Sequence, residues 1–329
     1  MTSAPCLFRI ALCMFVPGCL LQCWAPQTQA QGFLSRPVRM IVSFAPGGSA
    51  DILARTVADF LSSEIKQTVV VENNAGAGGI LAMRAVLRQA PLGSSVLFTN
   101  NTLVGNLYAF RDPQYKLEDY AVVGTVGLSP FALMVTSRLP STNIQEFIAY
   151  AKANSGKLNY GSSSLTGGPN VLAERLKAAA GLDLVMVPFK GGEPATQALM
   201  AGDIHALFAA VGVVRSRIKS PQLRALAVSG ERRSEIFPSL PTFGEVGYPT
   251  VKLLAWNGLF LPATAPAVAI QRMREAMAKV SASEDMKKLL ERMEFDAWPD
   301  TLDQFMAYIR AEGLGVRDDF ARLKIPMQD

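Results

Sequence analysis

The sequence predicts an α/β fold built as two similar halves, and three observations predict it. Short apolar runs alternate with helical repeats from residue 39 to residue 320. Two glycine- and hydroxyl-rich loops, 44–51 and 160–168, each follow an apolar run and precede a helix. The chain has 329 residues, 50% hydrophobic and 18% charged, which is enough for a large core and about two domains by length. Alternation of strand and helix signals argues for a mainly parallel sheet.

The first unit opens with the strand Arg39–Phe44, followed by Ala45-Pro46-Gly47-Gly48-Ser49-Ala50-Asp51. Leu53, Val57 and Leu61 then recur at four-residue spacing, so an amphipathic helix follows, with Ser49 as its cap and Asp51 in its first turn. Thr68–Glu72 is a β-branched strand, 73–79 a loop with three glycines, and Ile80–Gln89 helical. Ser95–Thr99 is the next strand, ending at Asn100-Asn101. Ala121–Val126 and Phe131–Val135 read as two strands parted by a short turn, and Asn143–Asn154 as a helix.

A second set starts at Lys157 with strand, polar glycine loop and helix. Leu184–Pro188 is a strand, Lys190-Gly191-Gly192 a turn, and Glu193–Met200 a helix. Asp203–Ala209, Leu223–Val228 and Leu253–Leu261 are further strands. Pro266–Val280 is a helix with proline at its start, and Leu302–Phe320 a long terminal helix interrupted by Gly313 and Gly315.

Arg9 and the apolar run Ile10–Trp24, ending in a Thr28/Ala30 small-residue site, predict a secretory signal peptide over residues 1–30. Cys6, Cys13, Cys19 and Cys23 all lie there, so cleavage leaves no thiol for catalysis, iron–sulfur or zinc chemistry. Val16-Pro17-Gly18-Cys19 is a weak match to a lipidation site. A single histidine, His205, excludes a multi-histidine metal site. The net charge of +5 is too small and scattered for nucleic acid, and its sign suits anionic ligands.

Loop 44–51 reads as an anion cradle formed by backbone N–H groups at a helix start, or as a tight turn capped by Ser49. Loop 160–168 packs Ser162, Ser163, Ser164 and Thr166 between strand and helix, which suits an oxygen-rich ligand or a solvated surface. Gly76-Ala77-Gly78-Gly79 lacks the third glycine of a dinucleotide site, and no phosphate-loop lysine pattern exists. His205 sits in a strand pattern without a nucleophile elbow, which favours a structural role; a Ser162–Lys190 pair is the remaining hydrolase reading. Phe44, Phe208 and Trp256 are core residues or cleft walls. No metal or cofactor site is expected.

Taken in order, RPVRMIVSFAPGGSADILAR, VVVENNAGAGGILA, KLNYGSSSLTGGPNVLAERL, VPFKGGEPATQALMAGDIHALF, LRALAVSGERRSEIFPSLPTFGEVGYP and WNGLFLPATAP resemble the extracytoplasmic solute receptors of the tripartite tricarboxylate transporter family, the Bug receptors. The resemblance implies a two-lobed type II periplasmic-binding-protein fold, a Venus flytrap. It places lobe one at 31–130 and 254–329, and lobe two at 131–253. It implies that Ala45, Gly47, Gly48, Ser49 and Asp51 face Gly161, Ser162, Ser163, Ser164 and Gly167 across a cleft; Phe44, Asn100, Lys190 and Phe208 are further expected ligand-site residues. The implied ligand is a small carboxylate, and the partners are membrane transporter subunits or, alternatively, a sensor kinase. A periplasmic monomer without enzymatic activity is expected. Ala209 stands where many members carry aspartate, which weighs against an amino-acid ammonium group.

Overall fold

The computed structural model describes residues 37–323 except 90–93, 163–164, 190, 213–216, 218–219, 235–236 and 294, together with Met327. The predicted signal peptide, its four cysteines, Ser163, Ser164 and Lys190 lie outside the described residues.

In chain order the elements are β1 (Val38–Val42), α1 (Ser49–Ile65), β2 (Val69–Asn73), α2 (Ile80–Arg88), β3 (Ser95–Asn100) and α3 (Thr102–Ala109). There follow β4 (Tyr120–Thr136), α4 (Ile144–Ala153), β5 (Asn159–Ser162), α5 (Gly168–Ala180), β6 (Val185–Pro188), α6 (Gly192–Ala201), β7 (Ala206–Ala210) and β8 (Leu223–Val228). The chain ends with β9 (Leu254–Pro262), α7 (Ala267–Ala282), α8 (Glu284–Met293) and α9 (Leu302–Leu323). Among the described residues no helix is long and apolar enough to cross a membrane.

The strands run β2-β1-β3-β9-β4-β7-β5-β6, with β8 paired to β4. The period-two rule divides their side chains between two helix layers. Met40, Val42, Val96 and Phe98 pack with Leu53, Val57 and Leu61 of α1 and with Met273 and Met277 of α7. Ile41 and Leu97, one residue out of step, pack instead with Met83 and Val86 of α2 and Leu103 of α3. In the second half Leu133 and Val135 join Phe147 of α4 and Leu172 of α5. Ala132 and Met134 join Ala195 and Leu199 of α6.

The sheet is mixed, which corrects the mainly parallel expectation. β1 is parallel to β2 and β3, and β5 to β6 and β7. β9 is antiparallel to β3 and β4, and β4 to β7 and β8. The cause is β4, a single 17-residue strand where two were expected. Its first part, to Pro130, pairs with β9, and its second, from Phe131, with β7. Gly127, at φ +73°, lets it bend between Thr125 and Leu128, where the register shifts. A Cβ there would strike Phe295 and Leu290. Helices α3 and α8 were not predicted.

Candidate functional site

Ligands of open α/β sheets bind beyond the carboxyl ends of parallel strands, and here both halves turn such ends toward a common seam. In the first half the ends of β1 and β3 lie side by side. Ser43 Oγ donates to Thr99 Oγ1 at 3.0 Å, and the Ser43 amide to the Phe98 carbonyl at 3.2 Å. In the second half the end is Ser162 of β5. The halves touch at Gly105 of α3 and Thr166. A Cβ on Gly105 would fall inside the Thr166 carbonyl oxygen and 3.0 Å from its Cβ, so only glycine allows this backbone-to-backbone approach.

The loop after β1 is built around Asp51. Its carboxylate is buried and accepts from the Gly47 amide at 2.9 Å, Arg55 Nε at 3.0 Å and Asn73 Nδ2 at 2.7 Å. Burial pushes its pKa up, but the bonds from Arg55, Gly47 and Asn73 outweigh it and hold the carboxyl below the usual range. Asn73 also donates to the Phe44 carbonyl, so β2 ties down both ends of the loop. Gly47, at φ +83°, makes the turn. The expected cap is corrected: Gly48, in extended backbone, is the N-cap of α1, and Ser49 is the exposed first helical residue. Gly48 has no side chain to cap with, and the Asp51 carboxylate in the first turn reaches back to the Gly47 amide instead.

Helix α5 starts the same way. Gly167 is its N-cap, without a side-chain cap bond, and its carbonyl accepts from the amides of Asn170 and Val171. Gly168 lets the Phe131 ring approach; a Cβ there would lie 2.6 Å from it. Tyr160 braces the loop, its hydroxyl 2.8 Å from Asn170 Oδ1 and 2.8 Å from Glu174 Oε1. Asn170 Nδ2 in turn donates to the Leu165 carbonyl. Two helix N-termini that start at glycine, which has no side chain to cap with, thus border one seam, and each favours negative charge.

The other expected residues divide. Ala45 is exposed, and Phe44 half-buried against the α1 layer. Asn100 Oδ1 accepts from the Thr102 amide at 3.0 Å, which starts α3. Ser162 is buried at the end of β5. Gly161 serves packing: a Cβ there would meet Ile204 and Phe189. Phe208 is buried in β7, with its ring 5.7 Å from that of Phe243. Trp256 is likewise core, edge-on to Phe305.

The expected structural role of His205 fits its place. Nδ1 lies 2.8 Å from Asn159 Oδ1, and burial lowers its pKa. Tyr160 pairs with Ala206, so His205 stands beside Asn159 at the opposite end of β5 from Ser162. Three strand residues separate those levels, about 10 Å.

Sequence reasoning missed Thr102, Gly105, Asn101 and Glu312. Thr102 and Gly105 share a face of α3 at i, i+3, and Thr102 Oγ1 is buried without a partner among the described residues. Asn101 Nδ2 donates to Glu312 Oε1 at 2.8 Å and to the Leu254 carbonyl at 2.9 Å, and Trp256 Nε1 donates to Glu312 Oε2 at 2.8 Å. This buried cluster ties the start of α3 to β9 and α9. The apolar stretch after Asn101 was the available signal for α3; a lone glutamate in a helical pattern carries none.

Residues 53–314 match the family model described as tripartite tricarboxylate transporter family receptor. Protein BugT of Bordetella pertussis is 34% identical over 241 residues, covering 72% of this chain and 74% of that protein. A solved structure described as a periplasmic transporter is 29% identical with TM-score 0.81, covering 89% of this chain and 99% of the other. MatC of Rhodopseudomonas palustris with bound malate has TM-score 0.80 at 23% identity, covering 87% and 99%. Rpa4515 of R. palustris with adipate has TM-score 0.82 at 24% identity, covering 89% and 99%. The fold is therefore the two-lobed, type II periplasmic-binding architecture that the sequence resemblance implied.

Proposed function

The chain belongs to the tripartite tricarboxylate transporter receptor family, and on that premise we propose how it holds its solute. It is a periplasmic solute-binding receptor of that transporter class. Its ligand is a small carboxylate anion, held between the lobes by backbone N–H groups of the loop after β1 and of the serine–glycine loop before α5. The observation that carries this reading is the pair of helix N-termini, α1 and α5, that each start at a glycine N-cap beside one seam. Charge-assisted hydrogen bonds from such donors contribute roughly 1.5–3 kcal/mol each. Asp51 does not repel the anion strongly, because Arg55 and two N–H donors already satisfy its charge. The malate of MatC and the adipate of Rpa4515 support a dicarboxylate in particular.

Lobe one comprises 31–130 and 254–329, and lobe two 131–253. This division is supported by β4 changing partners after Pro130 and by β9 returning at Leu254. Export ends with cleavage near Ala30, and the loaded receptor docks on membrane subunits of a tripartite tricarboxylate-type transporter. The protein binds and does not catalyse; the placement of His205 beside Asn159, a strand length from Ser162, supports this.

A thermal-shift screen of succinate-, citrate-, aspartate-like and aromatic acids, followed by calorimetry, tests the reading, since a ligand specific for the folded form raises Tm. A carboxylate binding 1:1 is expected. Tight binding of a neutral sugar or a cationic amine, with no response to any acid, overturns it. Ester or amide turnover lost on Ser162→Ala overturns the non-catalytic part.

A further inference from the structure

Arg175 and Asp319 stand on different halves of the molecule. Arg175 is in α5, which starts at the serine–glycine loop, and packs with its helix against β7. Asp319 is in α9, which lies along α3; a Cβ on Gly313 of α9 would stand 3.6 Å from Val104 and Tyr108. Arg175 Nε donates to Asp319 Oδ2 at 2.6 Å, and both side chains are only 11% exposed. Arg175 Nη1 donates to the Lys252 carbonyl, in the segment that enters β9. Arg322 Nη2 donates to the second Asp319 oxygen at 2.8 Å. The guanidinium lies over Gly315, where a Cβ would come within 3.3 Å of Nη2. The arginine therefore fills a groove that a side chain at 315 would occupy.

Surface ion pairs contribute little, but this one is nearly dry and joins three segments. The helices it joins are those that meet at the seam: α5 begins beside Thr166, and α9 backs α3, which carries Gly105. Separating the seam tilts α5 away from α3, and Arg175 must then leave Asp319 or drag α9 with it. That movement gives up the charge-assisted hydrogen bond between Arg175 and Asp319, so the pair resists it.

We propose that Arg175 and Asp319 are positioning residues for ligand binding, forming a latch between the lobes that biases the ligand-free protein toward the closed arrangement. The latch acts on affinity without touching ligand, because apparent affinity scales with the populated fraction of the binding-competent state. It rests on the two-lobed receptor reading and not on the choice of ligand.

Small-angle X-ray scattering of the ligand-free protein tests this independently of any carboxylate. Asp319→Asn and Arg175→Met each break the pair, leaving Arg175 with the Lys252 carbonyl or Asp319 with Arg322, and each is expected to raise the radius of gyration relative to the unmodified protein. The double variant Arg175→Met with Asp319→Leu also lacks the pair and is expected to be no more expanded than either single variant, because the latch is already lost in each; a merely structural loss would accumulate instead. Arg175→Lys keeps the charge, loses the fork and is the mild variant, with a smaller shift in the same direction. Circular dichroism confirms that each variant scored is folded. An unchanged radius in Arg175→Lys and in every folded single variant overturns the latch, and so does a double variant more expanded than either single one.

Discussion

Glu312 makes the stability of this protein depend on pH with a sign opposite to that of ordinary paired carboxylates. Its side chain is buried and meets two neutral donors, Asn101 Nδ2 and Trp256 Nε1, at 2.8 Å each. Burial pushes its pKa from 4.5 up to about 7, against the opposing pull of Asn101, Trp256 and the Arg175 charge. The folded chain therefore holds a proton that the unfolded chain releases. That contribution is complete below pH 4.5 and is lost as pH rises through 7. At 1.36 kcal/mol per unit, the span from pH 5 to pH 8 removes about 2.5 kcal/mol. Glu312→Gln cannot titrate. It turns an amide N–H toward one of the two donors, a roughly 1–2 kcal/mol penalty that is the same at both pH values. Urea unfolding of both proteins at pH 5 and pH 8 isolates the effect, because all other titrating groups cancel in the difference. The variant is expected to be the less stable protein at pH 5 and to gain about 2.5 kcal/mol relative to the original by pH 8. With a slope of about 3 kcal/mol/M, that is a relative midpoint shift a little under 1 M. A midpoint difference that is the same at pH 5 and pH 8, with equal slopes, refutes the reasoning.

Asp51→Asn is expected to cost about 2 kcal/mol at pH 7, measured by urea unfolding, because the Gly47, Arg55 and Asn73 bonds lose their ionised acceptor. The folded pKa is lowered, so this stabilisation is present at neutral pH and disappears as acid protonates the folded carboxyl; the variant's deficit should shrink below pH 4. Gly105→Val puts a side chain where the Thr166 carbonyl lies, so it should weaken binding of the best panel acid at least ten-fold in calorimetry. Thr102→Val swaps a buried hydroxyl with no described partner for a methyl of the same shape, and should raise stability of the ligand-free protein by up to about 1 kcal/mol in thermal unfolding.

The turn geometry of the two glycine loops was legible because their chemistry is local. Glycines at 47, 48 and 167 and the acid at 51 serve turns and helix starts within a few residues of themselves. The alternation of β1, α1, β2, α2 and β3 was legible for the same reason, through the four-residue repeat of α1 and the β-branched run of β2. What failed was non-local. α3 is covered on nearly every side, so Thr102, Leu103, Val104, Gly105 and Asn106 are all buried and show no amphipathic period. Gly127 and Pro130 are turn residues by propensity, yet they lie inside β4, because pairing with β9 and packing against Phe295 carry the strand through the bend. Ser49 has the right chemistry for a cap, and the chain uses Gly48 instead.

The residues that were invisible in sequence are those that couple the pincers to each other. β3 ends at Asn100, whose Oδ1 accepts from the Thr102 amide, and Asn101 follows, which binds both β9 and Glu312. α9 therefore fixes the position of α3 through Glu312, and of α5 through Asp319. Those two acids are seven residues apart, two helical turns, and so lie on one face of α9. A ligand that draws α5 toward α3 works against, or with, whatever α9 already holds. On the proposed reading, backbone donors at α1 and α5 meet the carboxylate head, and the stiffness supplied by α9 sets how much of each bond's energy goes into closing the lobes. Substitutions on α9 that never meet the solute would then change affinity.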